Sequence, residues 1–209
     1  RPELHRRSRL ADSLVLMPGG LMAGSADIAL RWASVGDAVE VAAVHIAAWK
    51  VAYAGLLPEE MLDALSVAER SAGWSEWISA SLAGEPTDGP HGPSHRLIVA
   101  EVADRIVGWA SFGSGRDSDA RHDGELAGLY VHPDWWSHGV GATLFARVEN
   151  ELVTEGFRAS YLWVLRDNAR AVGFYTTRGW IADGGEKFLP VGDDEVILEV
   201  RHRRALSEH

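Results

Sequence analysis

Apolar positions follow two periods along this chain, and the switches between them mark its elements. Ile28 to Ala33 reads as a first strand. After Asp37, read as a helix cap, Val41, Val44, His45, Ala48 and Ala52 recur on one helical face, with Trp49 and Tyr53 on its flanks. Gly55 breaks that helix, and Pro58-Glu59-Glu60 opens a second one carrying Met61, Leu62 and Leu65. Val67 to Ala83 forms a third, with Trp74, Trp77, Ile78 and Leu82. Gly84 to Ser94 is a Pro/Gly-rich loop between elements, not between domains. Residues 96–102 and 105–112 alternate as a hairpin across Ala103-Asp104. The polar stretch 113–124 that follows is either a mobile flap or a long connection.

The chain is organised around Glu125 to Glu155. Leu126, Leu129, Tyr130 and Val131 make a strand that Pro133 ends. A short loop leads to Gly139-Val140-Gly141, and Val140, Leu144, Val148 and Leu152 then recur at steps of four beside Phe145, a buried helical stripe closed by Gly156. The first turn of a helix carries backbone N–H groups without partners, and the macrodipole adds positive potential there. Glycines at 139 and 141 remove the side chains that would block close approach, so the amides from Ser137 through His138 and Val140 to Ala142 can receive a pyrophosphate. The Gly-Lys-Ser/Thr of the Walker loop is missing, and Leu144 stands where a dinucleotide fingerprint needs glycine. A second block, Tyr161 to Trp180, reads strand, short helix capped near Asp167 or Asn168, and stop at Gly179. A short return strand ends at Ile181, and Glu195 to Arg201 is a final alternating strand. This order predicts a mixed, mostly antiparallel α/β sheet flanked by four to five helices. Residues 1–25 are expected to be a poorly packed extension, 26–203 one domain, and 204–209 a tail.

Composition narrows the function. The net charge of −10 argues against a nucleic-acid binder and disfavours anionic membranes, while suiting a cationic amine. The absence of cysteine excludes disulfides, thiolate metal sites and an acyl-cysteine intermediate, and fits a reducing cytoplasm. His132 and His138 flank the glycine loop, and His91 and His95 lie in or beside the Pro/Gly-rich loop, without a carboxylate in a metal-binding pattern; no metal is expected. No apolar run is long enough to span a bilayer.

The two blocks together resemble the GNAT superfamily of N-acetyltransferases. Trp136-Ser137-His138-Gly139-Val140-Gly141 is similar to the family's Q/R-x-x-G-x-G/A loop, with Trp136 where Gln or Arg is usual. Asn168, Ala171, Phe174, Tyr175 and Gly179 match N-x-x-A-x-x-F-Y-x-x-x-G-F, with Trp180 for the last Phe. The resemblance covers roughly Asp27 to Arg201 and is tight from 125 to 180.

The resemblance implies acetyl-CoA as acyl donor, with its diphosphate on the glycine loop and its thioester arm in a gap between strands 125–131 and 160–165. It implies Asn168 hydrogen-bonded to the pantetheine arm, and backbone N–H groups around Leu129, Tyr130 and Val131 polarising the acetyl carbonyl. It places Glu125 as the base that deprotonates the amine, directly or through a water, and Tyr175 as the acid that protonates the departing thiolate. The other reading of Glu125 is a strand-start carboxylate. Trp49, Tyr53, Trp74 and Trp77 fall in the region that walls the family's acceptor pocket, and are either substrate-side aromatics or core. The expected reaction is acetyl transfer to a small-molecule or peptide amine by direct attack in a ternary complex. A non-catalytic acyl-CoA-binding domain and a longer-chain acyltransferase are the alternatives. Pairing of two copies through an edge strand is compatible with the pattern.

Overall fold

The computed structural model describes residues 27–191 and 195–207; the expected extension at 1–25 lies outside them. Among the described residues seven strands form one sheet: β1 (Ala29–Trp32), β2 (His95–Val102), β3 (Arg105–Ser114), β4 (Gly124–Val131), β5 (Ala159–Leu165), β6 (Ile181–Val191) and β7 (Glu195–Ala205). Their order is β1-β2-β3-β4-β5-β7-β6. Every neighbouring pair is antiparallel except β4 and β5. Five α-helices flank it among the described residues: α1 (Ala38–Ala52), α2 (Glu59–Asp63), α3 (Val67–Ala83), α4 (Val140–Thr154) and α5 (Ala169–Thr176). None is long and apolar enough to cross a membrane.

The near-continuous apolar runs of β2 and β3 follow from burial on both faces. Leu97, Val99 and Trp109 pack with Val41, Val44 and Ile78 of α1 and α3. Ile98, Ala110 and Phe112 pack on the opposite side with Leu144, Val148 and Leu152 of α4. A strand alternates its side chains between faces, so a central strand under two helical layers needs apolar residues at both parities. The hairpin between them turns through Ala103 and Asp104, both in left-handed conformation at φ 49° and 59°, the geometry a two-residue turn requires.

Helix boundaries fall where the local chemistry puts them. Ser66 accepts a hydrogen bond from the Glu69 amide and Gly84 closes α3 at φ 70°. Asp37 precedes α1 but does not cap it; its carboxylate closes a turn back onto Ser34 and holds Arg31. At the C-terminal end the expectation of short strands is corrected. β6 runs eleven residues and β7 extends to Ala205, into the expected tail. Asp183-Gly184-Gly185 and Pro190 break the alternating pattern, and they are tolerated because β6 is the sheet edge and carries a register shift between Ala182 and Glu186.

Candidate active site

β4 and β5 pair only at Gly124–Ser160 and Glu125–Tyr161, then diverge. The splay opens a cavity of about 780 Å³ lined from the start of α4 to Trp163 and Leu165 of β5, Lys187 of β6 and Glu199 of β7. The edges of this gap carry unpaired backbone groups. His132 donates its amide to Val107 on β3. Ladder polarity alternates along a strand, so Tyr130 also faces β3, while Leu129 and Val131 present their N–H groups to the gap. The Val131 carbonyl on that side accepts the Trp136 indole N–H at 2.8 Å. Of the three residues expected to offer amides, Tyr130 therefore contributes its ring instead.

At one end lies the turn into α4. Ser137 and Gly139 are both left-handed, at φ 65° and 88°, and Gly139 supplies no side-chain cap to the helix. The first amide bonded within the helix is that of Thr143, to the Gly139 carbonyl. The N–H groups of Val140, Gly141 and Ala142 are left for a ligand, and no acidic residue sits in that turn. Packing explains how the helix stands without a cap. Val140, Leu144, Phe145, Val148 and Leu152 are buried, and at about 2 kcal/mol each they outweigh the roughly 1 kcal/mol that a polar cap contributes. Ser137, Gly139, Gly141 and Ala142 line the cavity. Val140 is wholly within the core. The His138 ring turns away onto Trp135, with Nδ1 2.8 Å from the Trp136 carbonyl. Two cations line this end: Arg170, with its guanidinium 4.0 Å from the Trp136 ring centroid, and Arg178, 3.7 Å from that of Phe174. The sequence analysis missed both. The signal was the unusual Trp136, whose ring supplies the face on which Arg170 rests.

Asn168 lines the cavity but its side-chain oxygen is occupied, accepting the Ala171 amide at 3.1 Å as the cap of α5; only its amide nitrogen remains to reach outward. Tyr175, on α5, is buried against Phe145, Phe174 and Trp180 and lines the cavity. Its hydroxyl makes no hydrogen bond among the described residues, and burial holds its pKa well above that of a free phenol.

Opposite the α4 end stand the charged groups. Glu125 is 2% exposed and its carboxylate is fully engaged. Arg116 donates Nη2 to Oε1 at 2.6 Å and Nε to Oε2 at 2.9 Å. The Arg116 backbone amide at 3.1 Å and the Tyr161 hydroxyl at 2.9 Å also donate to Oε2. Arg116 gives its remaining nitrogen to Asp88 at 2.8 Å. Lys187 is bound to Asp117 at 3.1 Å and lies over the Trp163 ring. Glu199, on β7 opposite Leu165, also lines the cavity, yet no hydrogen bond or ion pair holds its carboxylate among the described residues. Burial raises its pKa, opposed by Lys187 and Arg116.

The 113–124 stretch is a docked connection. Asp117 accepts the Trp163 indole N–H at 2.9 Å and bonds Arg201, which also holds Asp119 and Asp183. Of the aromatics, Tyr53 at the C-cap of α1 lines the cavity. Trp49 packs over Leu57 and Leu62, and Trp74 and Trp77 pack against the α1–α3 core. They are packing residues because they sit within the helical spans, whereas Tyr53 lies past the last turn.

A parallel-paired, splayed β4–β5 gap with an uncapped helix at its mouth is the arrangement that the acetyltransferase resemblance implies. The chain belongs to the acetyltransferase (GNAT) family, whose sequence profile matches residues 60–180. An uncharacterized N-acetyltransferase of Bacillus subtilis, YuaI, is 27% identical over 148 residues, spanning 71% of this chain and 77% of that protein. PaiA N-acetyltransferase of Thermoplasma acidophilum, solved in complex with coenzyme A, superposes with a TM-score of 0.65 at 19% identity, over 85% of this chain and 98% of that one. YncA of Salmonella typhimurium, solved with its cofactor acetyl-CoA, gives a TM-score of 0.60 at 21% identity, over 87% and 95% of the two chains.

Proposed function

We propose that this chain transfers an acetyl group from acetyl-CoA to a primary amine of a small molecule, by direct attack within a ternary complex. One observation carries the reading: a single cavity joins the uncapped amides of α4 to the Tyr175 phenol, unbonded among the described residues, and to the carboxylates Glu125 and Glu199. The donor fits this chain's own groups. The Val140 to Ala142 amides, with Arg170 and Arg178 beside them, match a diphosphate. The amides of Leu129 and Val131 face the gap in which a pantetheine amide and a thioester carbonyl would lie. Tyr175 supplies a proton to the leaving thiolate. A buried phenol stays protonated and neutral across neutral pH, so Tyr175 holds its proton for the step. The coenzyme A and acetyl-CoA held by the PaiA and YncA neighbours support the same choice of donor.

The test is thiol release from acetyl-CoA across amino acids, polyamines, aminoglycosides and short peptides, beside calorimetry with acetyl-CoA. Amine-dependent release supports the reading. Tight binding without transfer to any amine would replace it with a non-catalytic acyl-CoA-binding domain. Gly139→Ala checks the donor end. A Cβ there would meet only Ile28 Cδ1 at 3.9 Å, so no clash results. An L-residue at φ 88° nevertheless costs about 1–2 kcal/mol. The turn should relax and misplace its amides, weakening acetyl-CoA binding roughly tenfold by calorimetry while leaving turnover at saturation little changed.

A further inference from the structure

We infer that Glu199 is the general base that takes the proton from the acceptor ammonium, and that Glu125 instead positions Arg116. This assignment rests on the acetyl-transfer reading above and adds a catalytic residue to it. A base needs a lone pair free to meet the departing proton, in the space where substrate arrives. Glu125 and Glu199 are the carboxylates lining the cavity. Both Glu125 oxygens already accept hydrogen bonds, four in all from Arg116 and Tyr161. Breaking them would strand a guanidinium as well as a buried carboxylate, and charge-assisted bonds of this kind are the strong ones. Glu199 has no such commitment among the described residues, and the cavity reaches it.

The groups around Glu199 fit the role. Lys187 is its cross-strand partner on β6, but the ammonium is held by Asp117 and the Trp163 face. Arg116, from the docked loop, is committed to Glu125 and Asp88. Leu165 of β5 is apolar. From α1 and β4 come Tyr53 and Tyr130, whose phenols are raised chiefly by burial and further by the charge on Glu199. Tyr130 and Tyr175 line the same cavity as Glu199. The cations lining this end are neutralised elsewhere, so Glu199 is the charge left to attract an ammonium.

The step balances. The ammonium gives one proton to Glu199, which passes it to solvent. The freed amine forms the C–N bond and the C–S bond breaks. The thiolate takes a proton from Tyr175, and the second proton shed by the nitrogen as the amide forms restores the phenol. The products are the N-acetyl amine, coenzyme A and one released proton.

Partial burial raises the Glu199 pKa above the ordinary carboxylate value. Activity requires the ionised form, so kcat/KM should fall as pH drops through that raised value. The experiment compares wild type, Glu199→Gln, Glu199→Asp and Glu125→Gln on the best amine of the panel, with acetyl-CoA affinity and Tm measured alongside. The expected result is a loss of about 10²-fold or more in kcat for Glu199→Gln, with unchanged acetyl-CoA affinity and no acidic limb from this group. Glu199→Asp should recover part of the rate, and Glu125→Gln should act mainly on Tm. Wild-type rates in Glu199→Gln, or an unmoved acidic limb, would overturn the assignment while leaving acetyl transfer intact. A wild type that transfers to no amine overturns the activity reading and this assignment with it.

Discussion

Tyr175→Phe is expected to lower kcat about 10²-fold or more, with the acetyl-CoA affinity and the Tm of the wild type. The substitution removes one oxygen that bonds to nothing among the described residues, so packing against Phe145, Phe174 and Trp180 survives. What is lost is the proton for the thiolate. A free thiol has a pKa near ~8.5 and a phenol near ~10; burial widens that gap by raising Tyr175 further. Transfer from a fully formed phenol to a fully formed thiolate would then run uphill, so the proton must move while the C–S bond is breaking. A solvent isotope effect on kcat in the wild type that vanishes in Tyr175→Phe would show this. A variant with wild-type kcat would remove Tyr175 from the chemistry, whatever its place in the cavity.

How much of this was legible beforehand follows the range of the interactions. The α4 turn is local: two glycines, a stripe at steps of four and a proline-ended strand lie within one continuous segment, and the structure reproduces the helix from Val140. The same holds for the Asn168 cap and for α3 between Ser66 and Gly84. Glu199 was illegible because its place depends on register. It reaches the cavity through pairing with Leu165 across β5 and with Lys187 across β6, and from sequence the return strand reads as ending at Ile181. Helical periodicity places Trp49 and Tyr53 alike on the flanks of the buried face. It could not say that the helix ends at Ala52, which is what sends Tyr53 to the cavity and keeps Trp49 in packing. For Glu125 the resemblance implies a base, while in the fold the polar 113–124 loop folds back and brings Arg116 onto both carboxylate oxygens. Loop polarity alone does not reveal that closure.

Arg116→Met tests that closure and should be the largest stability effect. The methionine keeps most of the stem volume and removes the guanidinium. Glu125, 2% exposed, then keeps only the Tyr161 hydroxyl and the 116 backbone amide. Removing one partner of a buried pair costs about 3–5 kcal/mol. The Arg116 side chain is 37% exposed, so water offsets part of the loss and the lower end, about 3 kcal/mol, is expected. For a chain of this size that lowers Tm by roughly 6–12 °C. The double variant Arg116→Met, Glu125→Gln should regain part of the loss, because the stranded charge is gone and an amide can still bond Tyr161. Amides of the 113–124 loop should exchange faster in the single variant, since Arg116 also ties that loop to Asp88. A Tm within a degree or two of wild type would mean that the pair contributes no net stability, and Glu125 would again be free to act as a base.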